Sequence, residues 1–535
     1  MRLTRNSIKN ETASWHEAGI KLPGFDFDQV SQKTTAAPQW IHFGSGNIFR
    51  AYIANLHQKL LDRNLYDSGI IAVEPYDFEV MDKVYKPYDN LALMVTMKAD
   101  GHFDKKLIGS ITEGLTTDPK RSHDQTRLKE IFDNPSLQMV SFTITEKGYA
   151  LKDEADQYFD VVAKDIERGL DYPLHTMSII ASLTYHRYKK GQYPLTFISM
   201  DNCSHNGDKL KNGVLTIANE WCDKGFVDDG FLDYLKDETK ISFPLSMIDK
   251  ITPRPSETVK QLLSDLGIEN IDPVVTSKSS YVAPYVNTEV AEYLVVEDKF
   301  TNGRPPLEKA GVIFTDRETV NKVETMKVTT CLNPLHTALA VSGCLLGFET
   351  IADEVKDPLM EKFIETIGYK EGLKVVVDPG ILSPHDFLDE VVKERLPNPY
   401  IPDTPARIAT DTSQKLGIRY GKTIESYANR DDLDPAGLTA IPLAIATWCR
   451  YLLGIDDEGN KFEISPDPLA DRLQSILNGV SFGDKTSNVD EILSNTAIFG
   501  LNLYQVGLGK KIEDMFYDMM EGKGAVRNTI EKWLK

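Results

Sequence analysis

The chain has 535 residues, of which 41% are hydrophobic and 26% charged, and its formal net charge is −20. This mixture is typical of a folded globular protein and argues against a disordered or fibrous chain. The large negative charge disfavours nucleic acid as a partner, and the absence of any run of about 18 uncharged apolar residues disfavours a membrane partner.

A chain of this length is expected to form two domains, because single hydrophobic cores stop growing near about 250–300 residues. Residues 1–38 carry no apolar leader segment, so we expect a cytoplasmic protein in which they pack on the first domain as an extension. The five cysteines are scattered and lack metal-ligand spacing. Neither a disulfide framework nor a zinc site is therefore predicted.

The first clear pattern predicts a strand, a tight turn and a helix. The run QWIHF at residues 39–43 ends in Gly44-Ser-Gly46, and apolar residues then recur at helical spacing to residue 61. A Gly-x-Gly turn at this place lets the backbone and the helix N-terminus approach a pyrophosphate. Phe49 stands where the usual dinucleotide fingerprint has a third small residue, so a purely structural turn is the alternative.

A second predicted strand, residues 69–73, ends at Glu74. An acidic side chain at this position can accept a hydrogen bond from the ribose 2′-hydroxyl and would repel a 2′-phosphate. We therefore predict NAD as the cofactor. The alternative for Glu74 is that it is a solvated loop carboxylate without a cofactor contact. Two more buried strands are predicted over residues 138–144 and 195–200. Strands that alternate with helices favour a mostly parallel sheet covered by helices.

Beyond about residue 300 the pattern becomes helical. Apolar periodicity predicts helices over residues 320–347, 358–369, 404–416, 438–453, 468–477 and 488–497. The segment TNGRPP at residues 301–306 marks the connection. The sequence thus predicts an α/β protein, with a Rossmann-type dinucleotide-binding domain over residues 1–300 and a mostly α-helical domain over residues 301–535.

Several motifs resemble, in the same order, those of the mannitol dehydrogenase family, the polyol-specific long-chain dehydrogenases. They are GSGNIFRA at 44–51, SFTITEKGY at 141–149, DNCSHNG at 201–207, FPLSMIDKITP at 243–253, EDKF at 297–300, AGVIFTD at 310–316, MKVTTCLNPLHTALA at 326–340 and RIATDTSQKLGIR at 407–419. The resemblance implies a Rossmann fold, NAD without a metal, a small polyol or sugar acid as substrate, and a monomer or weak homo-oligomer.

The resemblance also implies roles for individual residues. Lys327 would carry the proton, Asn333 and His336 would hold and orient the substrate oxygen, and Asn202 would be a further donor. The implied cofactor-binding residues are Gly44, Gly46, Phe49, Arg50, Glu74, Thr145, Glu146 and Asp249. The resemblance places Arg407 and Lys415 at the distal end of the substrate. Asn206 is a further substrate-binding candidate, which competes with Asn202 for the donor role. An exposed ion pair with Asp411 on one helix is the alternative for Arg407 and Lys415.

One departure from the family pattern lies between Lys327 and Asn333, which are separated by five residues where the family has four. A regular helix turns about 100° per residue, so a straight helix would hold these side chains apart around its axis. We predict a local distortion such as a π-bulge, near Pro334, which lacks a backbone donor. Lys322 remains an alternative for the catalytic lysine.

Within the family, the stretch CLNPLHTALA at residues 331–340 implies NAD-linked interconversion of D-mannonate and D-fructuronate, a reaction that needs a proton carrier and donors that stabilise charge on oxygen. Mannitol 2-dehydrogenase, tagaturonate reductase and D-arabinitol dehydrogenase activities remain open, because they share this machinery and differ in the lining of the pocket. Outside this class, a non-catalytic NAD-binding regulator and a metal-dependent sugar dehydrogenase are the alternatives.

Overall fold

The computed structural model describes residues 1–480, 482–483 and 489–535. They divide into two units, Met1–Val320 and Asn321–Lys535. The sequence assigned residues 301–320 to the second domain, whereas the structure groups them with the first. The reason is their bonding, because strand Ile313–Thr315 pairs with strand Tyr293–Glu297 and Asn302 Nδ2 donates to the carbonyl of Leu137 at 2.7 Å.

The β-strands of the described residues lie in the first unit. They are β1 Ile20–Lys21, β2 Trp40–Phe43, β3 Ile70–Glu74, β4 Ala92–Met97, β5 Phe103–Ile108, β6 Ile111–Thr116, β7 Met139–Phe142, β8 Leu195–Ser199, β9 Ile241–Ser242, β10 Ser246–Asp249, β11 Val274–Val275, β12 Tyr281–Val282, β13 Tyr285–Thr288, β14 Tyr293–Glu297 and β15 Ile313–Thr315. The four strands predicted from the sequence are β2, β3, β7 and β8.

The main sheet has six strands in the order β6-β3-β2-β7-β8-β9, and every neighbouring pair is parallel. This is the strand order of a Rossmann fold, in which ligands bind where the order reverses, here between the carboxyl ends of β2 and β7. The structure confirms the predicted fold. Smaller sheets have the orders β1-β5-β4-β13, β10-β14-β15 and β11-β12.

Helices cover both faces of the main sheet, so its strands are apolar on both sides. The helices of the first unit are α1 Arg5–Asn10, α2 Thr12–Glu17, α3 Phe27–Ala36, α4 Ala54–Leu61, α5 Ser122–Asp133, α6 Asp160–Arg168, α7 Thr176–Gly191, α8 Asn206–Asp223, α9 Asp229–Lys236 and α10 Glu257–Asp265, and α11 Arg317–Met326 crosses the boundary. One core contains Phe43 and Phe142, and the other contains Trp40 and Met139. Trp40 and Phe43 lie on the same strand but belong to different cores, so side chains along β2 point alternately to the two faces of the sheet.

The first 38 residues belong to the first unit. β1 extends a small sheet by pairing in parallel with β5, and Trp15 is completely buried and donates to Ser7 Oγ at 3.3 Å. This extension thus carries its own buried aromatic anchor and a sheet contact.

The second unit is helical. Its helices are α12 Asn333–Leu346, α13 Ile351–Val355, α14 Pro358–Glu365, α15 Pro384–Glu390, α16 Pro405–Ile408, α17 Lys422–Ala428, α18 Ala440–Tyr451, α19 Ala470–Ile476, α20 Val489–Leu493, α21 Thr496–Phe499, α22 Gly509–Met519 and α23 Ala525–Trp533. π-helical segments are Lys327–Cys331, Thr366–Glu371, Val391–Arg395 and Gly417–Gly421. Among the helices of the described residues, none combines the length and apolar character that a membrane crossing needs.

Two predicted helices differ from the structure. The single helix predicted over residues 404–416 was wrong, because α16 ends at Ile408 and Asp411 adopts a left-handed conformation with φ 54°. The helix predicted over residues 488–497 is replaced by α20 and the start of α21, and Asn488 lies outside the described residues. In the first case a left-handed residue interrupts the helical hydrogen bonding although the apolar periodicity continues.

Candidate active site

The Gly-x-Gly turn lies at the point of the sheet where the strand order reverses. Gly44 follows β2 with φ 106°, and a Cβ at this position would overlap the carbonyl oxygen of Thr143, which follows β7. Only glycine fits both the conformation and the close approach. At Gly46, by contrast, a Cβ would meet no atom within 4 Å. Asn47 Oδ1, at the start of the following helix, is buried without a hydrogen-bond partner, so the turn offers both an open backbone and an unsatisfied acceptor to a ligand.

The two glycines give a matched pair of variants. Gly44→Ala is expected to lower stability by more than about 2 kcal/mol, because it combines a positive φ with backbone overlap. Gly46→Ala is expected to keep the wild-type Tm and to weaken NADH binding at least about tenfold, which corresponds to 1.4 kcal/mol, because its methyl group would stand between the turn and the pyrophosphate. Thermal unfolding and NADH fluorescence titration measure both effects. Wild-type affinity in Gly46→Ala would contradict a dinucleotide at this turn.

Glu74 ends β3, and its buried carboxylate is fully hydrogen-bonded. One oxygen accepts from the backbone N–H of Ser45 at 3.1 Å and from the Ser45 hydroxyl. The other accepts from the backbone N–H groups of Tyr76 and Asp77 at 3.0 and 2.9 Å. The alternative of a solvated loop carboxylate was therefore wrong, since only 8% of Glu74 is exposed. Besides its predicted contact with the ribose, Glu74 holds the Gly-x-Gly turn in place.

Phe49 and Arg50 lie in a π-helical segment, Phe49–Ile53, and both side chains are buried. The Phe49 ring stacks on His42 with centroids 4.0 Å apart, and burial lowers the pKa of His42 to about 3. Arg50 donates to the carbonyl of Ala283 at 2.8 Å, and burial lowers its pKa. These contacts give the two side chains a packing role, which the motif could not separate from cofactor contact.

The loop that follows β7 carries Thr145 and Glu146 and is held by Asp201, which follows β8. Asp201 accepts from the backbone N–H groups of Ile144 and Thr145, both at 2.9 Å, and from the Tyr149 hydroxyl at 2.6 Å. Burial raises the pKa of Asp201, and Thr145 adopts the strained φ of 64°. Sequence reasoning missed Asp201, although it opens the motif DNCSHNG. Glu146 forms an exposed ion pair with Lys209.

The two candidate asparagines near β8 differ in exposure. Asn206 is buried, and its amide donates to the carbonyl of Asp201 at 3.0 Å and to Ser246 Oγ at 2.9 Å, while its oxygen accepts from the backbone N–H of Ser246 at 3.1 Å. These hydrogen bonds use the amide group of Asn206 to join β8, α8 and β10. No N–H of that amide is therefore free for the predicted hydrogen bond to the substrate. Asn202 is exposed and remains the better candidate. Asp249 ends β10 and is buried.

Lys327 begins the π-helical segment Lys327–Cys331 of the second unit, and only 4% of it is exposed. The carbonyl of Lys327 accepts from the N–H of Leu332 at 3.1 Å, five residues on, and α12 starts at Asn333. This confirms the predicted local distortion, because the wider turn accommodates the extra residue. A π-segment of this kind recurs at functional sites, which fits a catalytic lysine at its start.

His336 lies in the first turn of α12, three residues after Asn333. Burial lowers the pKa of His336 to about 4; the neighbouring Arg395, Arg419 and Arg407 act in the same direction, against the carboxylate of Asp403. The imidazole is therefore neutral near pH 7. A neutral imidazole with one N–H can donate a hydrogen bond to a substrate oxygen without carrying a charge of its own.

Arg407 and Lys415 also lie in the second unit, but their partners differ from those expected. Arg407 forms an ion pair with Asp403, so the alternative pair with Asp411 was wrong, since the left-handed Asp411 ends any common helix. The half-buried Lys415 donates to the carbonyl of Thr410, and burial, followed by the charge of Arg419, lowers its pKa. Sequence reasoning missed Asp403 and Arg395 as neighbours of His336, whereas Arg419 ended a quoted motif without being assigned a role.

Two family models match the chain. The model described as the mannitol dehydrogenase Rossmann domain matches residues 38–309, and the model described as the mannitol dehydrogenase C-terminal domain matches residues 319–519. The chain belongs to the mannitol dehydrogenase family. The family identified from the ordered motifs is confirmed.

Curated relatives in this family share most of the chain. It is 54% identical to the D-mannonate oxidoreductase of Thermotoga maritima over 99% of either chain. It is 30% identical to the mannitol 2-dehydrogenase of Pyrenophora tritici-repentis, over 81% of this chain and 72% of that protein. These values extend the family likeness across both units.

Two solved structures share the fold. A D-sorbitol dehydrogenase in substrate-free form superposes with a TM-score of 0.79 at 24% identity, covering 96% of this chain and 98% of that chain. The Pseudomonas fluorescens mannitol 2-dehydrogenase, in a ternary complex with NAD and D-mannitol, superposes with a TM-score of 0.70 at 24% identity, covering 100% of this chain and 99% of that chain.

Across residues 1–480, 482–483 and 489–535, no three His, Cys, Asp or Glu side chains are grouped so that they could hold a metal ion.

Proposed function

We propose that this protein is a cytoplasmic NAD-dependent dehydrogenase that interconverts D-mannonate and D-fructuronate. The observation that carries this proposal is the 54% identity with a D-mannonate oxidoreductase over nearly the whole of both chains. The cations around His336 support it, because arginine side chains bind carboxylates in a fork geometry. The open Gly-x-Gly turn, followed by a helix N-terminus, supports a dinucleotide cofactor.

Each candidate residue has a defined task in this reaction. NAD, when bound, supplies the acceptor for the hydride that leaves the alcohol carbon of mannonate. Lys327 takes the proton of the same alcohol group, and Asn333 and His336 donate hydrogen bonds to its oxygen. In the reverse direction Lys327 returns the proton to the ketone oxygen. Asn202 is a further donor, and Arg407 and Lys415 hold the far end of the sugar acid.

The buried position of Lys327 supports this assignment over Lys322. Only 4% of Lys327 is exposed, and its π-segment leads directly into the turn that carries Asn333 and His336. A proton carrier must lie within hydrogen-bond reach of the reacting oxygen and be shielded from bulk water. Lys322 lies within the regular part of α11, before the π-segment, and is more exposed.

A substrate panel tests the proposed function. NADH oxidation, followed by absorbance, is expected to be fastest with fructuronate, slower with tagaturonate, fructose and xylulose, and unchanged by a chelator. NADPH is expected to be a poor substitute, because Glu74 lies beside the turn. A preference for fructose would transfer the assignment to a mannitol 2-dehydrogenase, the activity named for relatives at 30% identity. Silence with all four ketones would favour a non-catalytic NAD-binding protein.

A further inference from the structure

Arg419 and its neighbour Tyr420 are each hydrogen-bonded to the N-terminal part of α12. The guanidinium of Arg419 donates to the hydroxyl of Thr337, and that hydroxyl in turn donates to the carbonyl of Asn333 at 3.1 Å. The next residue, Tyr420, donates to the carbonyl of Pro334 at 2.8 Å. The π-helical segment Gly417–Gly421 therefore holds the guanidinium at a set position beside the turn that carries Asn333 and His336.

Among the described residues, no carboxylate compensates the charge of Arg419. In the described part of the chain, no carboxylate lies within ion-pair distance of Arg419, whereas Arg407 pairs with Asp403. Burial lowers the pKa of Arg419 to about 10, and Lys415 is a like-charged neighbour. Charges that are partly buried in proteins are normally paired, so an unpaired arginine beside a lysine indicates that an anion from outside completes the site.

The remaining donors of Arg419 are available for such an anion. A guanidinium has five N–H donors, and the hydroxyl of Thr337 uses one nitrogen. Neither Nε nor the second terminal nitrogen is among the buried polar atoms that lack a partner, so both reach solvent. Two such nitrogens on one edge of the guanidinium match the two oxygens of a carboxylate.

We propose that Arg419 binds the carboxylate of the sugar-acid substrate through a bidentate pair of hydrogen bonds. This inference rests on the proposed function and adds a specificity-determining residue to it. The ketone and carboxyl carbons of fructuronate are separated by four bonds of about 1.5 Å each. In an extended zigzag chain the two carbons are therefore about 5 Å apart. Asn333 and Thr337 are four residues, about 6 Å, apart along α12. The substrate therefore fits along this turn, with its ketone near Asn333 and its carboxylate at Arg419.

A neutral polyol would use the same arginine differently. Its terminal hydroxyl offers a single uncharged oxygen, which accepts fewer and weaker hydrogen bonds than a carboxylate does. Loss of the guanidinium should thus penalise a sugar acid much more than a ketose of equal length. This difference separates binding of the carboxylate from a purely structural role, which would affect both substrates equally.

Three variants test the proposal: Arg419→Gln, which removes the charge, Arg419→Lys, which keeps the charge without the fork, and Arg430→Gln as the control. Arg430 is an exposed arginine of the same unit, paired with Asp432. The measurements are kcat/KM for fructuronate and fructose, the dissociation constant of D-mannonate by calorimetry, and Tm. The charged hydrogen bonds at stake correspond to an expected loss of about 10–100-fold for fructuronate and mannonate in Arg419→Gln. In Arg419→Gln, kcat/KM for fructose should change less than about threefold and Tm should not fall. Arg419→Lys should show an intermediate loss of kcat/KM for fructuronate, and Arg430→Gln should match the wild type in all three measurements.

The outcomes distinguish this proposal from the proposed function. If the wild-type protein reduces fructuronate well and Arg419→Gln loses fructuronate and fructose activity to the same extent, the role of Arg419 is overturned and the function stands. Unchanged mannonate binding in Arg419→Gln overturns it in the same way. If the wild-type protein reduces fructose and not fructuronate, the proposed function fails, and the carboxylate contact fails with it.

Discussion

Replacing Lys327 with alanine is expected to lower kcat by about 10²–10⁴-fold, because a positioned proton carrier contributes about this much to a proton-coupled step. Lys327 is 4% exposed and is the one lysine of the π-segment before Asn333, so no other side chain of that segment can replace it as proton carrier. NADH binding should stay within about twofold of wild type, since the predicted dinucleotide turn belongs to the first unit. Steady-state kinetics and fluorescence titration measure the two effects.

Lys322→Ala is the comparison that makes the Lys327 result specific. Both lysines precede Asn333 on the same stretch of chain, but Lys322 lies within α11 and outside the π-segment. We expect Lys322→Ala to keep kcat within about threefold of wild type. Full activity in Lys327→Ala together with a large loss in Lys322→Ala would assign the proton transfer to Lys322 instead. Trace activity that neither substitution changes would favour a non-catalytic protein.

Replacing His336 with alanine is expected to lower kcat/KM for fructuronate by about 10²–10³-fold, the usual effect of removing one preorganised donor to a developing oxyanion. The imidazole is neutral, because burial and three nearby arginines hold its pKa at about 4. Over pH 6–9 its protonation therefore does not change, and the wild-type pH profile should contain no limb that His336→Ala removes. Such a limb would show that His336 acts as a proton carrier and not as a neutral donor.

The depressed pKa of His336 also predicts an effect on acid stability. The unfolded chain, in which a histidine has a pKa near 6.5, binds a proton more readily than the folded protein does between pH 6.5 and 4. The contribution of this group to the stability of the fold is thus complete above pH 6.5 and is lost as the pH falls towards 4. Between pH 7 and 5, His336→Ala should lose less stability than wild type, by on the order of 1–2 kcal/mol. Urea unfolding at the two pH values measures this difference, and equal losses would contradict a neutral histidine with a lowered pKa.

Local patterns accounted for the parallel sheet, because buried parallel strands leave continuous apolar runs in a sequence. The runs at residues 39–43, 69–73, 138–144 and 195–200 became β2, β3, β7 and β8. The extra residue before Asn333, relative to the family pattern, likewise indicated the π-segment, since a straight helix would hold Lys327 and Asn333 apart around its axis. In contrast, the helix predicted over residues 404–416 failed, because periodicity does not register a single left-handed residue such as Asp411.

The roles of individual polar residues were harder to predict. Asn206 and Asn202 stand four residues apart in one motif, yet Asn206 is consumed by contacts with Ser246, forty residues further along the chain. Glu74 was predicted at the edge of the cofactor site, and the structure adds that it also bonds Ser45. Such partners are distant in sequence, so no local pattern contains them.

The sequence by itself determined the family, the Rossmann fold, the glycine turn and the distortion after Lys327, because each of these depends on residues that are neighbours along the chain. Only the tertiary structure decided which polar side chains are saturated and which are not. It revealed that Phe49 and Arg50 are packed in the interior and that Arg407 is paired with Asp403. It also revealed that no carboxylate in the described part of the chain compensates the charge of Arg419. The physical reason is that the energy of a buried charge depends on groups brought close by folding, and these are set by packing between elements far apart in sequence.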